Sequence, residues 1–318
     1  MVFKTVTLHI DFHKSLPSPK VSAQDWYYSL KIRTNLMGIY CANEELISCF
    51  MYDDTIAGMG PNEVISLLDY FLKKLQAEQG QNRYDHLVVW CDNSPSQFKQ
   101  NYLFFYLDYL VKRGDFLRTD LKFLLEGHSY SVCDRHFGNI QKVFNSQEKI
   151  HLPRDWATAL SNGGLSNVKV YWVTLDMIKD YKSYLKLQYV SRNRDLQNEK
   201  FEVKQIAWIN FGIGERADDS GNLEVVHHPE SAFVRFSVDS KQQPKLVSYK
   251  KIKQARQLRE DLLTTLSREL RPIPEDVKKH CANLAHRYLS ENAERFYAAL
   301  PCFQVQSTDD RSCTSGTH

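Results

Sequence analysis

Three aspartates stand out in this 318-residue sequence by where they fall. Asp11 closes the β-branched, alternating run over residues 3–12. Asp92 directly follows the short apolar run 86–91. Asp134 stands near the start of a helix-patterned stretch after the strand-like run 120–125. In an open α/β sheet, ligand chemistry gathers at the carboxyl ends of parallel strands. A carboxylate placed there is costly unless it is solvated, paired or bound to a metal. Acids drawn together repel, and Mg²⁺ or Mn²⁺, which prefer oxygen ligands, relieve that repulsion. Two such ions about 3.5–4 Å apart can activate a water or hydroxyl and stabilise the leaving oxygen of a phosphodiester. Taken singly, an aspartate at a strand end commonly caps a turn, and Asp134 reads equally well as a helix N-cap. The weight rests on the joint placement.

Other candidates surround these three. His128 lies between the last core strand and the Asp134 helix, where an imidazole could contact a phosphate or position water, or bond a nearby turn. Asn93 could orient Asp92 or form an Asx-turn. His9 and His13 share a strand face with Asp11, so a His-Asp-His metal set is geometrically possible. Asp54 is better explained as a loop cap, and Cys133 with His136 lacks the further partners a zinc site needs. Gln97, Lys99 and Asn101 open the next helix, where Lys99 could meet a phosphate backbone or simply face solvent. The aromatic run Tyr102, Phe104, Phe105, Tyr106 and Tyr109 reads as core. Residues 245–279 hold ten basic residues, among them Lys250, Lys251, Lys253 and Arg256, against five acids, a net charge of +5. That segment is a candidate DNA-backbone surface, with a solvated charged face as the equal alternative.

The elements that must position these groups follow from periodicity. Strands are expected over 3–12, within 27–42 and over 46–52, with Leu16-Pro17-Ser18-Pro19 breaking the first. A helix over 63–78 follows, capped by Asn62. A buried strand at 86–91, a helix over 96–113 stopping at Gly114, a strand over 120–125 and the Asp134 helix complete the order β-β-β-α-β-α-β-α. Three strands in meander and then alternating elements imply an α/β mixed sheet flanked by helices. Residues 203–249 read as short strands of a small C-terminal β-subdomain, and 250–270 and 275–300 as helices. The tail after Pro301 reads as disordered.

These residues carry a resemblance. The order of elements, with acids on the first strand, after the fourth and at a later helix, resembles the RNase H-like fold of transposases and integrases. The local strings are similar to an uncharacterised eukaryotic transposase-like family: Asp11-Phe12 with Leu16-Pro17-Ser18-Pro19, Asp53-Asp54-Thr55 with Gly58 and Gly60, Asp92-Asn93 with Gln97, Lys99 and Asn101, then Gly127-His128-Ser129 and Asp134-Arg135-His136-Phe137-Gly138. The resemblance is strong over residues 5–145 and weaker beyond. It implies a catalytic core over 1–148, an appended α+β region over 149–302 and a tail over 303–318. It implies a DDE/DDD-type phosphoryl-transfer site with Asp11, Asp92 and Asp134 as ligands of two Mg²⁺ or Mn²⁺ ions, with DNA as partner and a homo-oligomer as a possible assembly. An inactive, domesticated DNA- or protein-binding module and a structure-selective nuclease are the competing expectations.

Composition bounds the rest. Hydrophobic residues make up 42% and charged residues 25%, which excludes a wholly disordered chain, and the net charge of +3 excludes a histone-like polycation. A run of about 18 apolar residues is missing, so no membrane partner is expected. Residues 1–11 alternate like a strand and lack the apolar block of a signal peptide. Seven scattered cysteines without a CxxC pair fit a reducing, intracellular compartment, nuclear or cytoplasmic.

Overall fold

The computed structural model describes residues 3–80, 83–124, 131–217, 223–238, 243–251 and 256–304. A nine-stranded mixed sheet organises the chain, flanked on both faces by helices. Its first three strands, β1 (Thr5–Ser18), β2 (Ile32–Cys41) and β3 (Leu46–Asp53), form an antiparallel meander. β4 (His86–Cys91) and β5 (Arg118–Phe123) then add in parallel on the other side of β1. β6 (Val168–Trp172) pairs in parallel with β3 at one end. At the other end β7 (Trp208–Ala217), β8 (Leu223–Arg235) and β9 (Lys245–Val247) add antiparallel. The spatial order is β6-β3-β2-β1-β4-β5-β7-β8-β9.

β1 runs further than its prolines suggest. Its pairing with β4 ends at Ile10↔Cys91, and from there it has β2 as its strand neighbour. A proline lacking an N–H is tolerated on such a free flank, and Pro17 sits opposite Arg33 without ending the strand. A register shift between His13 and Leu16 absorbs the irregularity. Tyr27 and Tyr28, at the start of the run expected within 27–42, instead end the one-turn helix α1 (Gln24–Tyr28), and β2 begins only at Ile32. Trp26 anchors that turn by donating Nε1–H to the Pro19 carbonyl at 2.7 Å.

Alternation along the strands feeds two cores. Val6, Leu8 and Ile10 of β1 and Leu87, Val89 and Cys91 of β4 face helices α2 (Pro61–Gln79) and α3 (Asn101–Arg113). Leu36, Ile47, Cys49 and Met51 face α4 (Val132–Asn145) and α5 (Pro153–Ser161) on the opposite side. Truncating one of these buried aliphatics to alanine typically costs about 2–5 kcal/mol.

Helix boundaries follow their caps. α2 begins at Pro61 after Gly60, with the Glu63 carboxylate accepting N–H groups from Gly58 at 2.9 Å and Gly60 at 3.0 Å. Asn62, expected as the cap, lies in the first turn and braces the distant segment by accepting the Lys182 N–H at 2.8 Å. α3 starts later than its apolar pattern suggests, because Gln100 caps it by accepting the Tyr102 N–H at 2.9 Å. It stops, as expected, at Gly114, whose φ of 84° is left-handed.

The C-terminal expectations need correction. The segments read as a small β-subdomain are the far wing of the main sheet, joined by the Lys122↔Trp208 rung and sharing the larger core. Among the described residues of 250–270 there is one 3-10 turn, Glu260–Leu262, and no α-helix. There the backbone serves other segments: Lys251 N–H donates to the Gln188 carbonyl, Arg256 to Leu187, and Leu266 to Ile178. Tertiary pairing overrides helical spacing at this point. α6 (Tyr181–Leu185) is a short helix between β6 and β7. After β10 (Ile273–Pro274), α7 (Glu275–Tyr288) and α8 (Glu291–Ala299) form a hairpin around Cys281, Ala293 and Tyr297. Cys302–Phe303, placed in the tail by sequence, pair as β11 with β10. Residues 305–318 lie outside the described residues. No helix among the described residues is long and apolar enough to cross a membrane.

Candidate active site

Asp11 and Asp92 are each the residue just past the last parallel rung, Ile10↔Cys91, and therefore stand side by side on adjoining strands. The third acid reaches them through α4. The Cys133 thiol donates to the His9 carbonyl at 3.3 Å, which ties the first turn of α4 to β1 two residues before Asp11. Asp134 comes next. It is the third residue of the helix: its Oδ2 accepts the Ser131 N–H at 2.7 Å, while Ser131 Oγ accepts the Asp134 N–H at 3.3 Å. Capping is thus one role of Asp134, carried from the N3 position with Ser131 as the N-cap.

The charges of these acids act on one another. Burial raises the Asp11 carboxyl to about 7; a hydrogen bond from the Phe12 N–H at 2.7 Å opposes the rise, and the charges of Asp134 and Asp92 add to it. Asp11 is thus a half-buried carboxyl that feels the charge of the other two, and its oxygens are the hard donors that Mg²⁺ or Mn²⁺ prefer. The donor chemistry fits a divalent cation, although among the described residues no three His, Cys, Asp or Glu side chains close to ligand geometry.

The remaining candidates separate. His128 and Lys253 lie outside the described residues. Lys99 is in the turn before α3, not on its face; it is 5% exposed, donates Nζ–H to Asn93 Oδ1 at 2.6 Å and sits 4.9 Å from the Phe123 ring centre. Asn93 therefore accepts from a lysine rather than closing an Asx-turn. Lys250 pairs with Glu230 at 2.8 Å, Lys251 is half-buried and Arg256 is exposed. Elsewhere in the basic segment Lys245, Arg259 and Lys279 pair with acids, so its charge is divided and does not lie along one helix. Asp54 pairs with Arg33 at 2.9 Å. His13 packs edge-on against Phe137 and Phe144, with Nδ1 2.6 Å from the Lys14 carbonyl, and burial lowers its pKa. His136 lies against the Tyr40 ring.

One feature escaped the sequence reading. Tyr40, His9, Trp90, Lys122, Trp208 and Arg235 are successive rung partners across six strands. The His9 and Trp90 rings stack at 6.3 Å, the Lys122 ammonium lies 4.2 Å from the Trp208 ring centre, and the Arg235 guanidinium lies 4.3 Å from it on the next strand. This row runs directly beside the acids, because His9 and Trp90 each precede an aspartate by two residues. The repeated pattern ring–apolar–Asp, in His9-Ile10-Asp11 and Trp90-Cys91-Asp92, was the available signal. Beside the row, Asp120 is buried, accepting from Arg118 Nε at 2.7 Å and Trp208 Nε1 at 2.6 Å and pairing with His86.

The chain belongs to the family described as a domain of unknown function (DUF7869), which matches residues 25–207. That span contains Asp92 and Asp134 but not Asp11. Among curated proteins no match is found.

Proposed function

We propose that the chain is a metal-dependent DNA phosphodiesterase or strand-transfer domain of transposase origin, built on an RNase H-like core. The observation that carries this reading is that Asp11 and Asp92 both stand just past the last parallel rung, Ile10↔Cys91, while the Cys133–His9 hydrogen bond ties the first turn of α4, with Asp134, to the same strand. The strand order β3-β2-β1-β4-β5, with one antiparallel meander and two parallel additions, supports the RNase H-like assignment. So does the placement of the acids at the ends of β1 and β4 and in the first turn of α4.

In this reading Asp11, Asp92 and Asp134 hold Mg²⁺ or Mn²⁺, which supplies Lewis acidity and lowers the pKa of an attacking water or 3′-hydroxyl. The chain's own part is positioning. The last rung, Ile10↔Cys91, places Asp11 and Asp92 at the same end of adjoining strands, and the Cys133–His9 hydrogen bond ties the first turn of α4, which carries Asp134, to β1. The test is Mn²⁺-dependent DNA nicking by the wild type and by Asp92→Asn. Nicking by the wild type and its loss in the variant are expected, and equal activity in both rejects the assignment.

A second reading is an inactive, domesticated DNA- or protein-binding module on the same scaffold. Two observations favour it: Asp134 is already engaged by Ser131, and the described acids do not close to ligand geometry. Mn²⁺ titration separates the two, since the module binds no ion at this site.

A further inference from the structure

The loop that follows β4 is closed on itself. Ser94 accepts N–H groups from Phe98 at 3.0 Å and Lys99 at 2.9 Å, and the buried Phe98 ring stacks on Phe12 at 5.8 Å, next to Asp11. This fold turns the Lys99 side chain back beneath the loop. Lys99 is 5% exposed, and its ammonium lies over Phe123 at the end of β5 and donates to Asn93 Oδ1. An ammonium has hydrogens to give and no lone pair to offer, so the carboxamide must meet it with oxygen. That settles which way the amide faces: Oδ1 is inward and Nδ2 is the end left for another group. Among the described residues Nδ2 meets no acceptor, and it is not sealed from water.

A buried lysine behind an asparagine has a chemical consequence. The cation polarises the carboxamide, so its N–H groups become stronger donors. Those donors sit one residue from Asp92. Resting on the function proposed above, we infer that Asn93 is a catalytic residue that donates Nδ2–H to a non-bridging oxygen of the scissile phosphate, with Lys99 as the positioning residue that orients and polarises it. The substrate class is a phosphodiester. As the attacking oxygen bonds to phosphorus, the bond from phosphorus to the leaving oxygen breaks. The attacking group releases its proton to solvent base, and the leaving oxygen takes one from solvent. Asn93 exchanges no proton; it stabilises the charge that grows on the non-bridging oxygen. Lys99 therefore acts from behind the site, and not as the DNA-backbone contact suggested by its sequence position.

The experiment compares wild type, Asn93→Leu, Lys99→Met and Lys99→Arg in Mn²⁺-dependent cleavage of a DNA oligonucleotide. DNA binding by fluorescence anisotropy and Mn²⁺ affinity are measured in parallel. Loss of one transition-state donor lowers kcat by about 100-fold. Asn93→Leu is expected to show that loss with KM and Mn²⁺ affinity within about twofold, which a general structural defect would not do. Lys99→Met is expected to lower kcat by about tenfold or more, with partial recovery in Lys99→Arg, since the guanidinium also donates. A cleaving wild type matched by Asn93→Leu overturns this inference and leaves the phosphodiesterase reading standing. A wild type that binds DNA without cutting, with binding unchanged in Asn93→Leu, overturns both. Should Lys99→Met fail to fold, Asn93→Leu and Asn93→Ala decide the matter alone.

Discussion

The Phe137 ring of α4 lies against the bare backbone of Gly38 on β2, at the rung where Gly38 faces Asp11. A β-carbon at position 38 would come 2.8 Å from Phe137 Cε1, closer than packed carbons tolerate. Glycine here sets how near α4, and hence Asp134, approaches the sheet. Gly38→Val should cost about 1–3 kcal/mol in urea unfolding through overpacking. It should also weaken Mn²⁺ binding by moving α4 outward. Ile150→Val, in the same core cluster, should cost about 1 kcal/mol and leave the metal affinity alone.

Asp11 gives the pH dependence a definite sign. Its carboxyl is raised to about 7 when folded, by burial first and by its acidic neighbours in addition. Unfolded, it ionises near about 4. Between about pH 4 and 7 the folded chain binds more protons, so in metal-free buffer this group's contribution to stability falls as pH rises. Discounted for partial exposure, the loss is about 2 kcal/mol. Asp11→Asn should remove that slope from a series of urea titrations. An unchanged slope would show that Asp11 ionises normally in the fold.

Asp120 presents the opposite case. Burial alone would push its carboxyl up, but the bonds from His86 and Arg118 and their charge outweigh burial and hold it low. Asp120→Ala withdraws the carboxylate shared by His86, Arg118 and Trp208. The expected cost is about 3–5 kcal/mol, read from denaturant midpoints.

Gly212 carries the junction of the far wing. It has a φ of 80°, and a β-carbon there would lie 2.2 Å from the Leu117 carbonyl oxygen. Gly212→Val should destabilise by more than about 2 kcal/mol, from backbone strain and the close approach together. If β7–β9 belong to the same cooperative unit as β1–β5, the variant unfolds in a single transition shifted to lower urea. A separate early transition would instead mark the wing as an independent unit.

The central strands and helices were legible because each carries a clean period. Residues 86–91 are uniformly apolar, and α3 ends at a glycine that only a left-handed turn requires. Asp11 and Asp92 were legible for the same reason, being the first acids after apolar runs. What the sequence hid depends on distant partners. Pro17 continues a strand because β4 has already left that flank of β1. The helical spacing of 250–270 yields to carbonyls at Leu187, Gln188 and Ile178. Lys99 reads as a surface cation until the Ser94 turn folds it under Asn93. The row from Tyr40 to Arg235 draws one residue from each of six strands, and no local window contains it.

The Ile10↔Cys91 rung has an implication for descent. The backbone pairing of the two central strands and the apolar side chains Val6, Leu8, Ile10, Leu87, Val89 and Cys91 lie at or before that rung, while Asp11 and Asp92 lie beyond it. Substitutions at Asp11 and Asp92 therefore spare that pairing, and on the function proposed above a lineage could lose the chemistry in one step while keeping its shape. Such a chain would be inherited as a scaffold, open to whatever partner its surface next acquired.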